Sequence, residues 1–162
     1  MSKLILRLEH LAPADSPSAD RHVVDLGENG RSAVASTPLA RWSASVAAAH
    51  DPCLVVDAEG QVLSISASAA ELLGCSDAGV IGRRLLDVIE LVDFDTGAPQ
   101  PDYAGRIAPI AVLTTGNGLT RSLVRVRHRD DTRVTIDASA APLHDVRGQV
   151  IGSIAFLAAV RG

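Results

Sequence analysis

The sequence has few aromatic residues, few cysteines and no long hydrophobic run. One Trp, one Tyr and two Phe in 162 residues leave almost no rings for stacking on nucleic-acid bases or flat cofactors. Cys53 and Cys75 are too few for a disulfide framework, and neither lies at metal-ligand spacing from another Cys or His. No apolar stretch approaches the roughly eighteen residues that span a bilayer, and none resembles a secretory signal. We therefore expect a cytoplasmic protein with no membrane segment and no metal.

The charges are unevenly distributed along the chain. The formal net charge is -4, which argues against nucleic acid as a partner because non-specific binding needs a basic footprint. Residues 51–102 carry ten acidic and two basic side chains, whereas residues 103–162 carry eight basic and four acidic ones. Five arginines lie close together in a predicted hairpin: Arg121, Arg125, Arg127, Arg129 and Arg133. We interpret this stripe as a solvated strand face or a docking surface for an acidic protein.

The first fifty residues predict an arm followed by one amphipathic helix. The arm covers residues 1–37, and the sequence does not define its order. A hydroxyl residue before Pro38 is a typical helix start. The apolar stripe of the helix over 38–50 consists of Leu39, Trp42, Val46 and Ala49. Packing on its own domain and pairing between two chains both remain open for this helix.

Residues 51–115 predict a hairpin and several short helices. β-Branched runs at Cys53–Val56 and Gln61–Ile65 flank a turn. Helices are predicted over Ala69–Gly74, Arg83–Leu91 and Tyr103–Thr115.

Three strands are predicted in the last third of the sequence. Two of them alternate between apolar and polar residues on either side of the turn at 129–132, and the third covers 149–160. That third strand is apolar on both faces; we assign Ile154 and Phe156 to the inner face and Ile151 and Leu157 to the outer one. The predicted fold class is α+β, a five-stranded antiparallel sheet with helices on one face and the N-terminal helix available to cover the other.

Several strings resemble the PAS family of sensory domains. "CLVVDAEGQVLSIS", "AAELLG" and "VIGRRLLDVI" are similar to its opening hairpin, first helix and following segment. "LTTGNGL" and "VRVRHRDDTRVTIDASAAPLHDVRGQVIGSIAFL" are similar to its third-helix exit and three closing strands. The resemblance covers about residues 51–160 and consists of several motifs in the family's order. It implies a PAS domain over 51–162 that senses a signal or binds a protein and is not an enzyme.

Three positions depart from the family pattern. Ser66 stands where many members have Asn, and Asp131 where a hairpin Gly is usual. The sequence ends at Gly162 without the usual signalling motif and effector, so we expect a signal to leave by association.

The resemblance implies a ligand pocket between the sheet and the helices. A filled core is the alternative interpretation, because apolar residues at strand period usually pack against one another. The candidate lining residues are Ile89, Ile107, Ile110, Val124, Val126, His128, Val134, Ile136, Ile154 and Phe156, with Leu113 and Ala138 beside them.

The resemblance also bears on the cofactor, which the sequence leaves unknown. Haem is disfavoured because the predicted third helix contains no His, and flavin because "IGRRLLDV" lacks the reactive Cys of light-oxygen-voltage domains. Asp93, Asp95 and Gly97 resemble part of a calcium loop, but a third ligand and the closing Glu are missing.

We predict a stand-alone module that forms a homodimer and acts on a kinase or transcription regulator in trans. The predicted dimer interface contains Leu39, Trp42, Val46, Ala49, Ile151 and Leu157. One alternative is a small cone-type cyclase or isomerase that uses Asp137 or His128. Another is a purely structural dimerisation domain.

Overall fold

A computed structural model describes residues 37–116 and 118–160. The predicted arm lies outside this range apart from its last residue. The helices are α1 (Pro38–Ala47), α2 (Ala67–Leu72), α3 (Asp77–Val80), α4 (Leu85–Val88), a 3-10 helix (Pro101–Arg106) and α5 (Ala108–Thr115). The strands are β1 (Cys53–Asp57), β2 (Val62–Ile65), β3 (Glu90–Leu91), β4 (Thr120–Arg127), β5 (Arg133–His144) and β6 (Val150–Ala159). Among the described helices, none is long and apolar enough to cross a membrane.

The strands form one antiparallel sheet in the order β2-β1-β6-β5-β4-β3. The predicted α+β class and antiparallel sheet are confirmed, and the sheet gains a sixth strand. That strand, β3, has two residues and pairs Glu90 with Arg127 and Leu91 with Val126. It occupies the end of a segment that we predicted as helical throughout, of which only α4 is an α-helix.

Two hairpin turns are stabilised in the same way, by an Asp carboxylate that accepts hydrogen bonds from two backbone N–H groups. Asp57 accepts hydrogen bonds on Oδ1 from the backbone N–H groups of Glu59 and Gln61, at 3.0 and 2.8 Å. Asp145 does the same for Arg147 and Gln149, both at 2.8 Å. In each turn the carboxylate therefore adds two hydrogen bonds to those of the backbone, as Asp side chains commonly do in turns.

Ser66 joins the start of β1 to the start of α2. Its hydroxyl oxygen accepts from the backbone N–H of Cys53 at 3.1 Å and of Ala69 at 3.2 Å, and the hydroxyl donates to the carbonyl of Asp51 at 2.9 Å. The predicted cap of the short helix is thus confirmed, and the helix starts two residues before the predicted Ala69.

The predicted helix Tyr103–Thr115 is two helices. A 3-10 helix ends at Arg106, and α5 begins at Ala108 with Pro109 in its first turn. Proline has no N–H to donate and clashes with the preceding turn, so a continuous helix through Pro109 is excluded. The helix ends at Gly116, whose φ is +60°, a left-handed conformation suited to glycine.

Each face of the sheet carries an apolar core. The larger core lies between the sheet and α2–α5. On the other face, Val46 of α1 is 2% exposed and packs with Cys53, Val55, Leu143 and Ile154. The helix therefore packs on its own domain, the first of the two arrangements left open by the sequence.

Candidate functional site

A small cavity lies between the sheet and the helices, at the predicted position. Its volume is about 20 Å³. All of its lining residues are apolar: Leu54, Leu73, Leu85, Ile89, Ile107, Pro109, Val124, Val126, Ile136, Ala138 and Leu157. A water molecule needs about this much space but also two or more polar partners. The lining therefore favours an apolar guest or none.

Half of the predicted lining residues border the cavity. Ile89 and Ile107 contribute from the helical side, and Val124, Val126 and Ile136 from the strands. Two others, Ile110 and Val134, and the neighbouring Leu113 pack against the same core without lining the cavity.

The structure overturns the assignment of the two faces of β6. Ile154 packs in the outer cluster beneath α1, and Phe156 is 51% exposed. Ala155 and Leu157 instead belong to the core beneath the helices. Ile154 and Phe156 are therefore not pocket residues, and Leu157 is not an outer interface residue. The assignment was wrong because β6 is apolar on both faces, so alternation could not distinguish inside from outside.

His128 contacts a helix end instead of lining the cavity. Its Nε2 lies 3.0 Å from the carbonyl oxygen of Leu72 at the end of α2. A Cβ placed at Gly74 would overlap the imidazole ring, so this ring is seated against the backbone where α2 ends. The geometry is that of a structural histidine that satisfies a helix-terminal carbonyl.

Sequence reasoning missed five lining residues: Leu54, Leu73, Leu85, Pro109 and Leu157. Leu73 and Leu85 adjoin or belong to helices of six and four residues, too short for a helical stripe to be recognised. Leu54 and Leu157 lie in strands with apolar residues on both faces. For Pro109, the available signal was proline's preference for the first turn of a helix.

Two serines of the sheet hold α5 over the cavity. The Ser122 hydroxyl on β4 accepts from the backbone N–H of Ala108 at 2.8 Å. The fully buried Ser153 on β6 donates to the carbonyl of Pro109 at 2.7 Å. Because Pro109 also lines the cavity, these hydrogen bonds fix the position of its helical wall.

The predicted interface residues divide between the two faces of the sheet. Leu39 and Ala49 are half-buried against the outer cluster, as is Ile151. Trp42 keeps 44% of its surface exposed. The stripe of α1 is thus used largely within the protomer.

Two arginines of the stripe, Arg121 and Arg127, are paired with acidic groups. Arg121 forms an ion pair with Asp137, and Arg127 forms one with Glu90 across β3 and β4. The hydrogen bonds from these arginines lower the pKa of Asp137 and of Glu90. Arg125 lies 5.0 Å from the ring centre of Phe94 and also donates to its carbonyl. Asp137 therefore lies outside the cavity in an ion pair, which removes it as the general base of the alternative enzyme.

Asp93 organises the acidic loop through hydrogen bonds. Its Oδ1 accepts from the backbone N–H of Thr96 at 2.8 Å, from the Thr96 hydroxyl at 2.9 Å and from the N–H of Asp95 at 3.0 Å. These bonds, that from the Thr96 backbone most strongly, lower the pKa of Asp93. In the described ranges, no three His, Cys, Asp or Glu side chains are grouped to hold a metal ion.

The sequence model of the PAS fold matches residues 40–160, most of the chain. The chain belongs to the PAS family. No curated protein sequence matches it. PAS domains generally serve as sensory or interaction modules in signalling, commonly form dimers and are typically not catalytic.

Solved structures similar to this PAS domain share its fold at low sequence identity. The PAS domain of a Colwellia psychrerythraea protein has 17% identity and a TM-score of 0.55, covering 74% of this chain and 94% of that chain. The light-state structure of the blue-light photoreceptor Aureochrome1 LOV has 20% identity and a TM-score of 0.55, covering 70% and 84%. The Vibrio cholerae VqmA dimer has 19% identity and a TM-score of 0.50, covering 68% and 46%.

Light-oxygen-voltage domains occur among these similar structures, and one is described with a flavin analogue. The comparisons therefore give no support to the prediction that flavin is disfavoured. At identities below 25% they show the fold alone, so the cofactor of this PAS domain stays unassigned.

Proposed function

We propose that this PAS domain is a non-catalytic sensory or protein-interaction module of signal transduction or transcription regulation, acting in the cytoplasm. The observation that carries the proposal is the placement of the cavity and α1 on opposite faces of the same strands. A change of packing beneath α5 then reaches the outer face through β5 and β6, both of which contact α5 and α1. The signal leaves by association with a second copy and with a kinase or transcription regulator.

The guest in this proposal is a small, uncharged, apolar molecule. The lining supplies apolar contacts only, and about 20 Å³ is far below the roughly 300 Å³ or more of pockets for drug-sized ligands. Haem and flavin are disfavoured here because each needs a larger site and polar or ligating side chains.

A guest acts by changing the relative stability of two packings. It shifts their equilibrium only by the difference between its affinities for them. The hydroxyls of Ser122 and Ser153 hold α5 in the packing described here. A larger guest that moves Pro109 outward strains these two hydrogen bonds. The packing of α1 on the other face of the sheet then changes as well.

Native mass spectrometry of protein purified from its own host, before and after denaturation, tests this proposal. We expect a bound guest that is lost when Ala138 is replaced by Val, because Ala138 lines the cavity. Ala158→Val on the exposed outer face is the matched control and should retain the guest. A guest that remains bound to Ala138→Val contradicts the proposed site.

A purely structural dimerisation domain is the second candidate. The small, wholly apolar cavity favours it, because well-packed cores leave a few voids of this size. This candidate predicts a dimer that never carries a guest and whose association is unchanged by Ala138→Val.

A further inference from the structure

One residue, Ile89, lines both the cavity and a groove on the protein surface. The groove has a volume of about 220 Å³. Its apolar side chains are those of Leu86, Ile89, Leu91, Pro99 and Pro101, and we call it the Ile89 groove. Two other grooves, one lined by Ile110 and Leu113 and one by Leu63 and Ile81, have no described residue in common with the cavity. The Ile89 groove is therefore separated from the cavity by a single side chain.

The polar side chains of this groove are already engaged within the protein. The carboxylate of Glu90 forms an ion pair with Arg127. The side-chain amide of Gln100 donates to the Asp93 carboxylate at 2.7 Å. Because both groups have partners, neither requires a polar or charged ligand. The groove thus offers the same kind of apolar surface as the cavity and suits the same guest.

Few hydrogen bonds hold the wall at Ile89. This residue lies between α4, a helix of four residues, and β3, a strand of two. Its backbone is extended, and its N–H donates to the Leu85 carbonyl at 3.2 Å. In the described structure, no side chain caps the start of α4. Short elements with few hydrogen bonds open locally at low cost, so the wall at Ile89 is easily opened.

The wall at Ile107 is held more firmly. Ile107 also lines the cavity, but it is only 2% exposed. The hydroxyls of Ser122 and Ser153 hold the first turn of α5 directly after it. Ile89 is 9% exposed, and a rotation of its side chain towards the groove carries it over other apolar side chains, so little burial is lost. The cavity therefore opens at lower cost at Ile89 than at Ile107.

We infer that the Ile89 groove is the entrance to the cavity and that Ile89 determines which guests reach it. This inference rests on the proposed function, because it concerns the guest of the same cavity. When the Ile89 side chain turns outward, cavity and groove form one apolar space that is still smaller than the roughly 300 Å³ of pockets for drug-sized ligands. The entrance therefore admits small, uncharged, apolar molecules and rejects bulky or charged ones.

Xenon exchange in the full chain, measured by xenon NMR, tests the inference. The matched variants are Ile89→Ala and Ile107→Ala, which remove the same atoms from the cavity lining. Enlarged apolar cavities stay dry and bind xenon. We expect xenon to exchange at least about tenfold faster in Ile89→Ala, because passage there no longer requires buried carbon atoms to move into the groove.

A substitution in the groove tests the route while Ile89 is intact. In the Ile107→Ala background, Pro99→Trp should slow xenon exchange by about tenfold, because Pro99 is exposed and lines the groove. Ile81→Trp is the control, because Ile81 is 48% exposed in a different groove, and it should leave the rate unchanged. Thermal unfolding shows which variants are folded. Leu73→Ala also enlarges the cavity and serves as the background if Ile107→Ala does not fold.

Three results would overturn the inference. The first is an equal xenon exchange rate in Ile89→Ala and Ile107→Ala, and the second is a rate that Pro99→Trp does not change. The third is the absence of bound xenon from both alanine variants, because there is then no cavity to enter.

These results are distinguishable from a failure of the proposed function. A natural guest that is lost with Ala138→Val supports the function, whichever residue admits the guest. If that guest is found but xenon exchange is equal in the two alanine variants, the function stands and the entrance is wrong. If xenon behaves as expected but no natural guest exists, the entrance stands and the sensory function is wrong.

Discussion

The contact between Gly74 and His128 allows a sharp test of the structure. Gly74 has a φ of +68°, and an added Cβ would overlap the His128 ring. Gly82 has a φ of +77°, but an added Cβ would find no heavy atom within 4 Å. Gly74→Ala and Gly82→Ala therefore impose similar backbone strain, and only the first also displaces a side chain.

The expected magnitudes follow from these contacts. Placing Ala in a left-handed conformation costs about 1–2 kcal/mol at either position. At Gly74 the displaced ring also loses its hydrogen bond to the Leu72 carbonyl, at a cost of about 1 kcal/mol. Repacking around the overlap adds about 1–3 kcal/mol. We expect Gly74→Ala to destabilise the protein by at least about 2 kcal/mol more than Gly82→Ala.

Urea unfolding followed by circular dichroism at 25 °C measures both free energies. Repeating the comparison in a His128→Gly background removes the ring and the Cβ that an added methyl group at Gly74 would meet, so the two glycine substitutions should then cost about the same. Equal costs in the wild-type background would refute the reasoning, as would a difference that persists without the imidazole ring.

Three further predictions concern a turn, a loop and α5. Asp131 has a φ of +66°, so Asp131→Gly should raise Tm by about 1–4 °C, whereas Asp130→Gly, which removes a turn-capping carboxylate, should lower it. Asp93→Asn should make the free energy of unfolding in urea fall less steeply as the pH is lowered. Hydrogen bonds lower the pKa of Asp93 from its ordinary value of 3.8, so its carboxylate stabilises the protein above pH 3.8, and this stability is lost as the pH falls through the lowered pKa. Ser153→Ala removes the buried hydrogen bond to the Pro109 carbonyl of α5 and should cost about 0.5–1.5 kcal/mol with faster hydrogen exchange in α5; Ser139→Ala is the control. Unchanged exchange would show that Ser153 does not hold the helix.

Much of the architecture could be predicted because local signals agreed with the fold. The turns beginning at Asp57 and Asp145 carry their own hydrogen-bonding carboxylates, so the hairpins were visible in the sequence. Strands with one polar face, β4 and β5, were assigned with the correct faces, including the outward position of Asp137.

The errors arose where tertiary contacts decide the structure. β3 forms because it pairs with β4, thirty-odd residues away in the sequence. A strand of two residues is too short to show the alternation of apolar and polar residues that predicts a strand. Which face of β6 is the inner one depends on which of its two apolar faces packs against α1. The cavity includes residues of very short helices whose position only the assembled core defines.

The position of β6 has a consequence for how the protein is made. Cys53 at the start of β1 pairs with Phe156 near the end of β6, so the sheet is closed by residues about a hundred positions apart, a separation that slows folding. During synthesis, β1–β2 and β3–β5 can form only as separate pieces until β6 has left the ribosome. Until then, both pieces expose strand edges and apolar faces. A partly folded chain of this kind is the state most prone to aggregation and to chaperone binding.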